Sequence, residues 1–104
     1  MRSAAPLSVS LEQIGDSITV RPVGEVDMSS VPLLGDSVRR VLEKHQAESI
    51  TLDLTAVSFI DARGLHALVM SDRLARKDGC RLRIKCGNAV RRMIELTHVG
   101  ISCG

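Results

Sequence analysis

Apolar and polar residues alternate along two short segments near the start of the chain, residues 7–12 and residues 17–21. Alternation with a period of two is typical of a β-strand with one buried face, and Gly15-Asp16 between the segments is a turn signal. The pattern predicts an antiparallel hairpin that forms the first two strands. Pro22 has no amide hydrogen to donate, so we expect it at a frayed strand end or at a sheet edge.

The next segment has the period of an amphipathic helix. Its apolar residues fall on one stripe, whereas its charged residues fall elsewhere. The stripe consists of Val31, Leu34, Val38, Val41 and Leu42. We expect this first helix to run to about His45, with Ser29 or Ser30 as its N-cap and Pro32 tolerated in the first turn.

A buried strand, a turn and a second helix follow. Residues 49–54 alternate as a strand, residues 55–63 form the turn, and the helix runs to about Lys77, before Asp78-Gly79. Apolar residues crowd nearly the whole circumference of this helix, so we expect it to be covered on most sides.

The start of the second helix has the features of a contact point. Asp61 is a good N-cap, because its carboxylate can accept a hydrogen bond from the amide of Arg63 or Gly64. Gly64 has no side chain, so we expect the first helical turn to be bare and approachable.

The last part of the chain predicts a fourth strand at residues 81–85 and a third helix. Asn88 is the expected N-cap of this helix, and Gly100 is the expected C′ glycine at its end. The helix face that we expect to pack on the core contains Val90, Met93, Ile94 and Thr97. Residues 101–104 are too short to predict a further strand.

The alternation of strands and helices makes two β-α-β crossovers, which join parallel strands. The loops at 24–30, 55–63 and 86–88 therefore leave the same edge of the sheet, which we call the rim. The residues expected on or near the rim are Asp27, Ser29, Ser30, Asp61, Ala62, Arg63, Gly64 and Asn88. Three helix N-termini point toward it, and their free amides favour an anion or a protein partner.

Length and composition indicate one soluble α/β domain over residues 1–104. We expect a mixed four- to five-stranded sheet, in which the hairpin precedes a parallel β-α-β-α-β unit, packed with three to four helices. Residues 1–6 are expected to be flexible. The chain is 44% hydrophobic and 25% charged, and no apolar run approaches the roughly 18 residues of a membrane span. No signal-peptide pattern is present, so we expect a cytoplasmic protein.

Charge and cysteine content exclude several classes of function. The formal net charge of +2 is too small to indicate a nucleic-acid partner, and the alternating cations Arg81, Arg83 and Lys85 indicate a solvated strand face. Three cysteines without a C-x-x-C pair indicate neither a disulfide framework nor a zinc site. We interpret Cys86, which is in phase with the apolar residues of its strand, as a small core residue.

Two motifs resemble those of the STAS family, named for sulfate transporters and anti-sigma factor antagonists. Residues 57–65, Val-Ser-Phe-Ile-Asp-Ala-Arg-Gly-Leu, resemble its central motif, and Gly24-Glu25-Val26-Asp27 resembles its second signature. The order of predicted elements agrees with the family from about residue 7 to residue 100. The resemblance implies the same mixed α/β fold.

Bacterial family members of this size resemble anti-sigma factor antagonists. Such proteins bind an anti-sigma factor, itself a protein kinase, and thereby free the sigma factor. In those members a Ser or Thr immediately before the motif glycine is the phosphorylation switch. Arg63 occupies that position here and Ala62 precedes it, so the resemblance implies a chain that lacks the switch hydroxyl.

The resemblance and the rim together predict the partner-binding residues. They are Asp27, Ser29, Ser30, Asp61, Ala62, Arg63, Gly64 and Leu65. We expect Arg63 to present positive charge to an acidic patch on the partner, and the alternative is a solvated arginine without a role. Ser58 is interpreted as a structural hydroxyl, and Ser29 and Ser30 as caps rather than phosphorylation sites. Without the phosphoacceptor, Asp27 and Asp61 could have structural roles alone.

No catalytic motif is present. The carboxylates of Asp27 and Asp61, without a third ligand, would make only a weak metal or acid–base site. We therefore expect neither an enzyme nor a bound cofactor. Three alternatives to an antagonist stay open. They are a STAS scaffold within a larger assembly, an accessory subunit of a membrane lipid transporter, and a sensor that binds a nucleotide or an anion at the helix N-termini. A homodimer is also compatible with the sequence.

Overall fold

The computed structural model describes residues 7–44, 47–101 and 103. Its strands are β1 (Ser8–Ile14), β2 (Ser17–Val26), β3 (Ser49–Leu54), β4 (Val57–Ile60) and β5 (Arg81–Cys86). Its helices are α1 (Val31–Lys44), α2 (Ala62–Lys77) and α3 (Asn88–Thr97). The predictions for residues 1–6 and for a first helix that reaches His45 lie outside the described residues.

The strands form one mixed sheet in the order β1-β2-β3-β5, with β4 paired to β2. The β1–β2 pair is an antiparallel hairpin, and β2 pairs in parallel with both β3 and β4. β3 also pairs in parallel with β5. The predicted fold class is therefore confirmed, with five strands and three helices among the described residues.

The strand β4 lies in the segment that we predicted to be a turn. It has only four residues, and Thr55-Ala56 separates it from β3, so its sequence pattern is too short to distinguish a strand from a loop. It forms because β2 is ten residues long and extends beyond β3. The last residues of β2, from Gly24 to Val26, pair with β4.

Pro22 lies neither at a frayed strand end nor at a sheet edge, contrary to our prediction, since β2 pairs with strands on both sides. It is buried in the interior of β2, opposite Val9 of β1. The parallel pairing of β2 with β3 ends at Val20, and its pairing with β4 begins at Gly24. Pro22 therefore lies where β2 changes its parallel partner, a position at which a missing amide hydrogen breaks no parallel ladder.

The helices bury one face each against the core. The core side of α1 consists of Leu34, Val38, Val41 and Leu42, as predicted. The prediction that α2 is covered on most sides is wrong. α2 packs with α1 and α3 as its neighbours, which leaves an exposed face that includes His66 and Met70, whose exposed fraction is 47%.

The predicted ends of α3 need correction. Its N-cap is Gly87, which makes no side-chain capping bond, and Asn88 is the first helical residue. At the other end, His98 adopts the left-handed conformation with φ 54° and donates its amide to the carbonyl of Ile94, two residues before Gly100. Thr97 is exposed and does not join the buried face.

A disulfide bond joins Cys86 at the end of β5 to Cys103, and their Cα atoms are 5.4 Å apart. Cys86 is buried in the core, as we expected, but the expectation that the cysteines form no disulfide is wrong. Cys103 also forms an isolated parallel bridge with Ile84, so Cys103 lies beside β5. Cys80 is free and buried, and its burial, with a smaller contribution from Asp78, raises the pKa of its thiol.

Candidate partner-binding rim

The first segment of the rim is the turn between β2 and α1, which Asp27 organises. Its Oδ1 accepts hydrogen bonds from the Ser29 hydroxyl at 2.7 Å and from the amides of Ser29 and Ser30 at 3.0 and 3.3 Å. The hydrogen bond from the Ser29 hydroxyl contributes most to lowering the pKa of Asp27, whereas the slight desolvation of the Asp27 carboxylate opposes this shift. Asp27 is therefore held as a carboxylate.

Neither serine acts as the predicted cap of α1. The Ser30 hydroxyl donates to the carbonyl of Glu25 at 2.8 Å and accepts from the amide of Asp27 at 2.9 Å. Among the hydrogen bonds of the described residues, it is Asp27 that accepts from the turn amides of Ser29 and Ser30. Its carbonyl also accepts the first bond of the helix, from the amide of Val31 at 2.9 Å.

The second segment of the rim is the start of α2, which lies directly beside the first. The Asp61 amide donates to the carbonyl of Val26 at 3.2 Å, so the two predicted segments are brought together. Asp61 Oδ1 accepts from the amide of Gly64 at 2.9 Å, which confirms Asp61 as the N-cap of α2. This bond satisfies one of the free amides of the first turn.

Gly64 and Leu65 are buried, so the expectation of a bare and approachable first turn is wrong. A Cβ atom at Gly64 would lie 2.7 Å from Val26 Cγ1, 2.8 Å from Ile60 Cγ1 and 2.9 Å from the Val26 carbonyl oxygen. Gly64 therefore lets α2 pack closely on β2 and β4. Gly64 is therefore not part of the exposed surface of the rim. The exposed residues at this helix start are Ala62 and Arg63.

Arg63 is exposed, and its guanidinium contacts the sulfur of Met28, which is itself 62% exposed. Among the described residues, no carboxylate lies within salt-bridge distance of Arg63. The positive charge at the start of α2 is therefore available to an external acceptor.

Other polar residues near the rim have structural partners. The Ser58 hydroxyl donates to the carbonyl of Gly24 at 3.3 Å, in agreement with the structural role that we expected. Asn88 is exposed at the start of α3. Asp53, which our sequence analysis did not single out, is buried at the carboxyl end of β3 and accepts from Arg21 Nε at 3.1 Å.

Asp53 also accepts from the amide and the hydroxyl of Thr55, at 3.0 and 2.6 Å. Desolvation acts to raise the pKa of Asp53, but the bonds from Thr55 and the charge of Arg21 outweigh it and lower the pKa. An acidic residue at an otherwise apolar strand end is the signal that could have identified this position. The ionised carboxylate ties the turn between β3 and β4 to β2.

Two exposed apolar residues of the rim, Phe59 and Met28, were not predicted from the sequence. Phe59 is the only aromatic residue of the chain and is 47% exposed, although its neighbour Ile60 is buried. Met28 lies on the other segment beside Arg63. Single exposed apolar residues are common, and only their position on the rim next to basic residues makes these two notable.

No helix within residues 7–44 and 47–101 is both long enough and apolar enough to cross a membrane. Within the same residues, no group of three His, Cys, Asp or Glu side chains is arranged to hold a metal ion. The rim exposes an arginine and apolar side chains beside two turns that are each organised by a carboxylate.

Comparison with known proteins agrees with this description. The chain is 29% identical over 93 residues to an anti-sigma-B factor antagonist of Bacillus subtilis, an alignment that covers 89% of this chain and 82% of that protein. It also resembles the crystal structure of an anti-sigma factor antagonist from Mycobacterium paratuberculosis, with 27% identity and a TM-score of 0.76 over 92% of this chain and 83% of that one.

The unphosphorylated form of the anti-sigma factor antagonist SpoIIAA shares the fold, with a TM-score of 0.73 at 18% identity over 89% of this chain and 83% of that one. The family model of the STAS domain matches residues 8–101, which span every strand and helix described above. The chain therefore belongs to the STAS domain family.

Proposed function

We propose that this protein is an anti-sigma factor antagonist, which binds an anti-sigma factor in the cytoplasm and thereby releases a sigma factor. The observation that carries the proposal is the rim, where the Asp27 turn and the start of α2 lie side by side and expose Arg63 without an acidic partner among the described residues. Its similarity along most of its length to two proteins named as antagonists supports the same function.

Arg63 would act as the charged contact of this surface. A cation in the first turn of a helix opposes the helix dipole at a cost of about 0.3–1 kcal/mol. A carboxylate of the partner would offset that cost, because a guanidinium can donate two parallel hydrogen bonds to it. Docking there would exclude the sigma factor by competition for the same anti-sigma factor.

Arg63 also defines how the proposed antagonist would be regulated. The residue immediately before Gly64 is an arginine and the one before that is an alanine, so neither carries a hydroxyl. We therefore infer that a kinase partner does not phosphorylate this chain at the position used by its relatives. The antagonist would be active whenever it is present, and its control would lie in expression or at another site.

The binding surface is tested by Arg63→Glu, with affinity for anti-sigma factors of the same organism measured by calorimetry. We expect binding to weaken by more than about 1 kcal/mol, because the substitution replaces attraction to an acidic patch by repulsion. Arg73→Glu is the matched control, since Arg73 is exposed on α2 but far from the rim. Both variants should keep their free energy of unfolding within about 0.5 kcal/mol.

Two results would contradict the proposal. If no anti-sigma factor binds, or if binding does not release a sigma factor in a competition assay, the function is wrong. If Arg63→Glu binds as tightly as the unmodified protein, the interface lies elsewhere. Intact-mass measurement after incubation with a kinase-type anti-sigma factor and ATP tests the regulatory statement, and a phosphate mapped to residues 55–63 would contradict it.

A further inference from the structure

A cleft of about 400 Å³ opens on the α3 side of the rim. One wall is β4, with Ser58, Phe59 and Ile60, and the other wall is the first two turns of α3, which contribute Arg92 and Met93. Met28 and Arg63 do not line this cleft. None of the partner-binding residues predicted from the sequence lines it.

The exposed aromatic ring in this cleft is unusual for the chain. Phe59 is its only aromatic residue and leaves 47% of its surface in water, although burial of so large an apolar side chain is favourable. Aromatic residues, methionine and arginine are the types enriched at the centre of protein interfaces. Phe59, Met93 and Arg92 bring all three together.

The charge of the cleft identifies what it would receive. Among the described residues that line it, Arg92 is the only charged one. No described carboxylate lies within salt-bridge distance of its guanidinium. An occupant that matches both the apolar wall and the unpaired cation carries an apolar side chain next to a carboxylate.

The walls of the cleft are held in place before any partner binds. Gly87, at the start of α3, packs against the turn between β3 and β4, where an added Cβ atom would lie 2.9 Å from Thr55 Cα. A surface fixed in this way loses little conformational freedom when it binds.

We propose that the cleft between β4 and α3 is the second half of the docking surface and receives an acidic, apolar segment of the anti-sigma factor. This inference rests on the proposed function. The rim then carries two matching pairs of contacts, Met28 with Arg63 at the start of α2 and Phe59 with Arg92 in the cleft. A partner that spans the rim contacts both pairs.

The test measures the affinity of Phe59→Ala and Arg92→Glu for the anti-sigma factor that binds the unmodified protein. We expect each substitution to weaken binding at least tenfold. Two exposed residues of α3 that do not line the cleft provide matched controls, and Leu96→Ala and Arg91→Glu should change the affinity less than twofold. Phe59→Leu retains an apolar side chain and should bind more tightly than Phe59→Ala, which keeps the test usable if the alanine variant unfolds.

The outcomes separate this inference from the proposed function. If Arg63→Glu weakens binding but Phe59→Ala, Phe59→Leu and Arg92→Glu do not, the cleft inference is overturned and the antagonist function stands. Unchanged partner affinity combined with saturable binding of benzoate at Phe59 and Arg92, followed by nuclear magnetic resonance, would assign the cleft to a small aromatic acid instead. A homodimer that Phe59→Ala dissociates without any loss of partner affinity would likewise overturn it.

Discussion

The helices α2 and α3 both begin at the rim after a strand of the parallel part of the sheet, but they are held there by different means. At α2, the Asp61 carboxylate caps the first turn and Gly64 allows the helix to pack closely on Val26 and Ile60. At α3, the N-cap Gly87 offers no side-chain bond, and the disulfide of Cys86 anchors the strand end before it. One helix start is fixed by local hydrogen bonding and packing, and the other by backbone contact and a covalent link.

This difference predicts where each helix start is vulnerable. Substitutions at the cap residue Asp61 or at Gly64 should destabilise the start of α2. Reduction of the disulfide between Cys86 and Cys103 should instead destabilise the start of α3. Three predictions test the contrast, from the largest expected effect to the smallest, and a fourth concerns the turn between β3 and β4.

Loss of the disulfide should have the largest effect. Cys103→Ser should lower the free energy of unfolding by about 3 kcal/mol, the chain-entropy value for a loop of this length, in which the two cysteines are separated by 17 positions. Chemical denaturation measures this change. A dithiol reductant should destabilise the unmodified protein by a similar amount and leave Cys103→Ser unchanged.

Hydrogen exchange would show whether the loss is centred on α3. Amides of α3 should lose more protection than amides of α2, and equal loss in both helices would contradict the contrast. Disulfides are rare in reducing compartments, so the measurement with reductant also gives the stability of the protein under those conditions.

Gly64→Ala should destabilise the protein by about 2 kcal/mol, within the usual range for overpacking a core. The new methyl group would meet the backbone oxygen of Val26 at 2.9 Å, and the backbone cannot move as a side chain can. Gly35→Ala is the matched control in α1, because nothing lies within 4 Å of its added Cβ. That control should be neutral or stabilising by up to about 1 kcal/mol, since alanine favours a helix.

The two helix starts should respond differently to loss of a polar side chain. Asp61→Ala should cost about 1 kcal/mol of unfolding free energy, because the amide of Gly64 loses its acceptor. Asn88→Ala should cost less than about 0.5 kcal/mol, since its side chain does not cap α3. Asp61→Asn keeps a capping oxygen and should recover most of the loss. Equal costs for the two alanine variants would show that the caps do not distinguish the helices.

The smallest effect near neutral pH is expected from the titration of Asp53. Its pKa is lowered in the folded protein by the bonds from Thr55 and Arg21, which outweigh its desolvation. Its contribution to stability is therefore complete above the unfolded pKa, whose ordinary value is 3.8, and is lost as the pH falls through the folded pKa. Asp53→Asn should flatten the dependence of unfolding free energy on pH below about 4. An unchanged profile would show that other carboxylates dominate acid unfolding.

Much of the fold follows from residues that are close together in sequence. The hairpin, the apolar stripe of α1 and the cap at Asp61 each depend on spacings of two to four residues, which a local pattern reports directly. β4 was missed because four residues after a two-residue break have no distinctive period. It becomes a strand through pairing with the end of β2, more than thirty positions away.

The features of the site also divide into those that local sequence predicts and those that depend on packing. The sequence shows Arg63 before Gly64 and a polar turn at Asp27. The rule for parallel crossovers then predicts that both lie at one edge of the sheet. The burial of Gly64 against Val26 could not be predicted in this way, because it depends on how closely α2 approaches the sheet. The same holds for the exposure of Phe59, whose neighbours in sequence are largely apolar.

The amino-acid sequence alone determined the order of the helices and of every strand except β4, the polar turn at Asp27 and the absence of a hydroxyl at positions 62 and 63, because these are properties of neighbouring residues. The tertiary structure decided that Cys86 pairs with Cys103, that Gly64 lies beneath the rim and that Phe59 and Arg92 share a cleft. Such contacts join residues far apart along the chain, and the register of the sheet and the packing of the helices on it bring them within bonding distance.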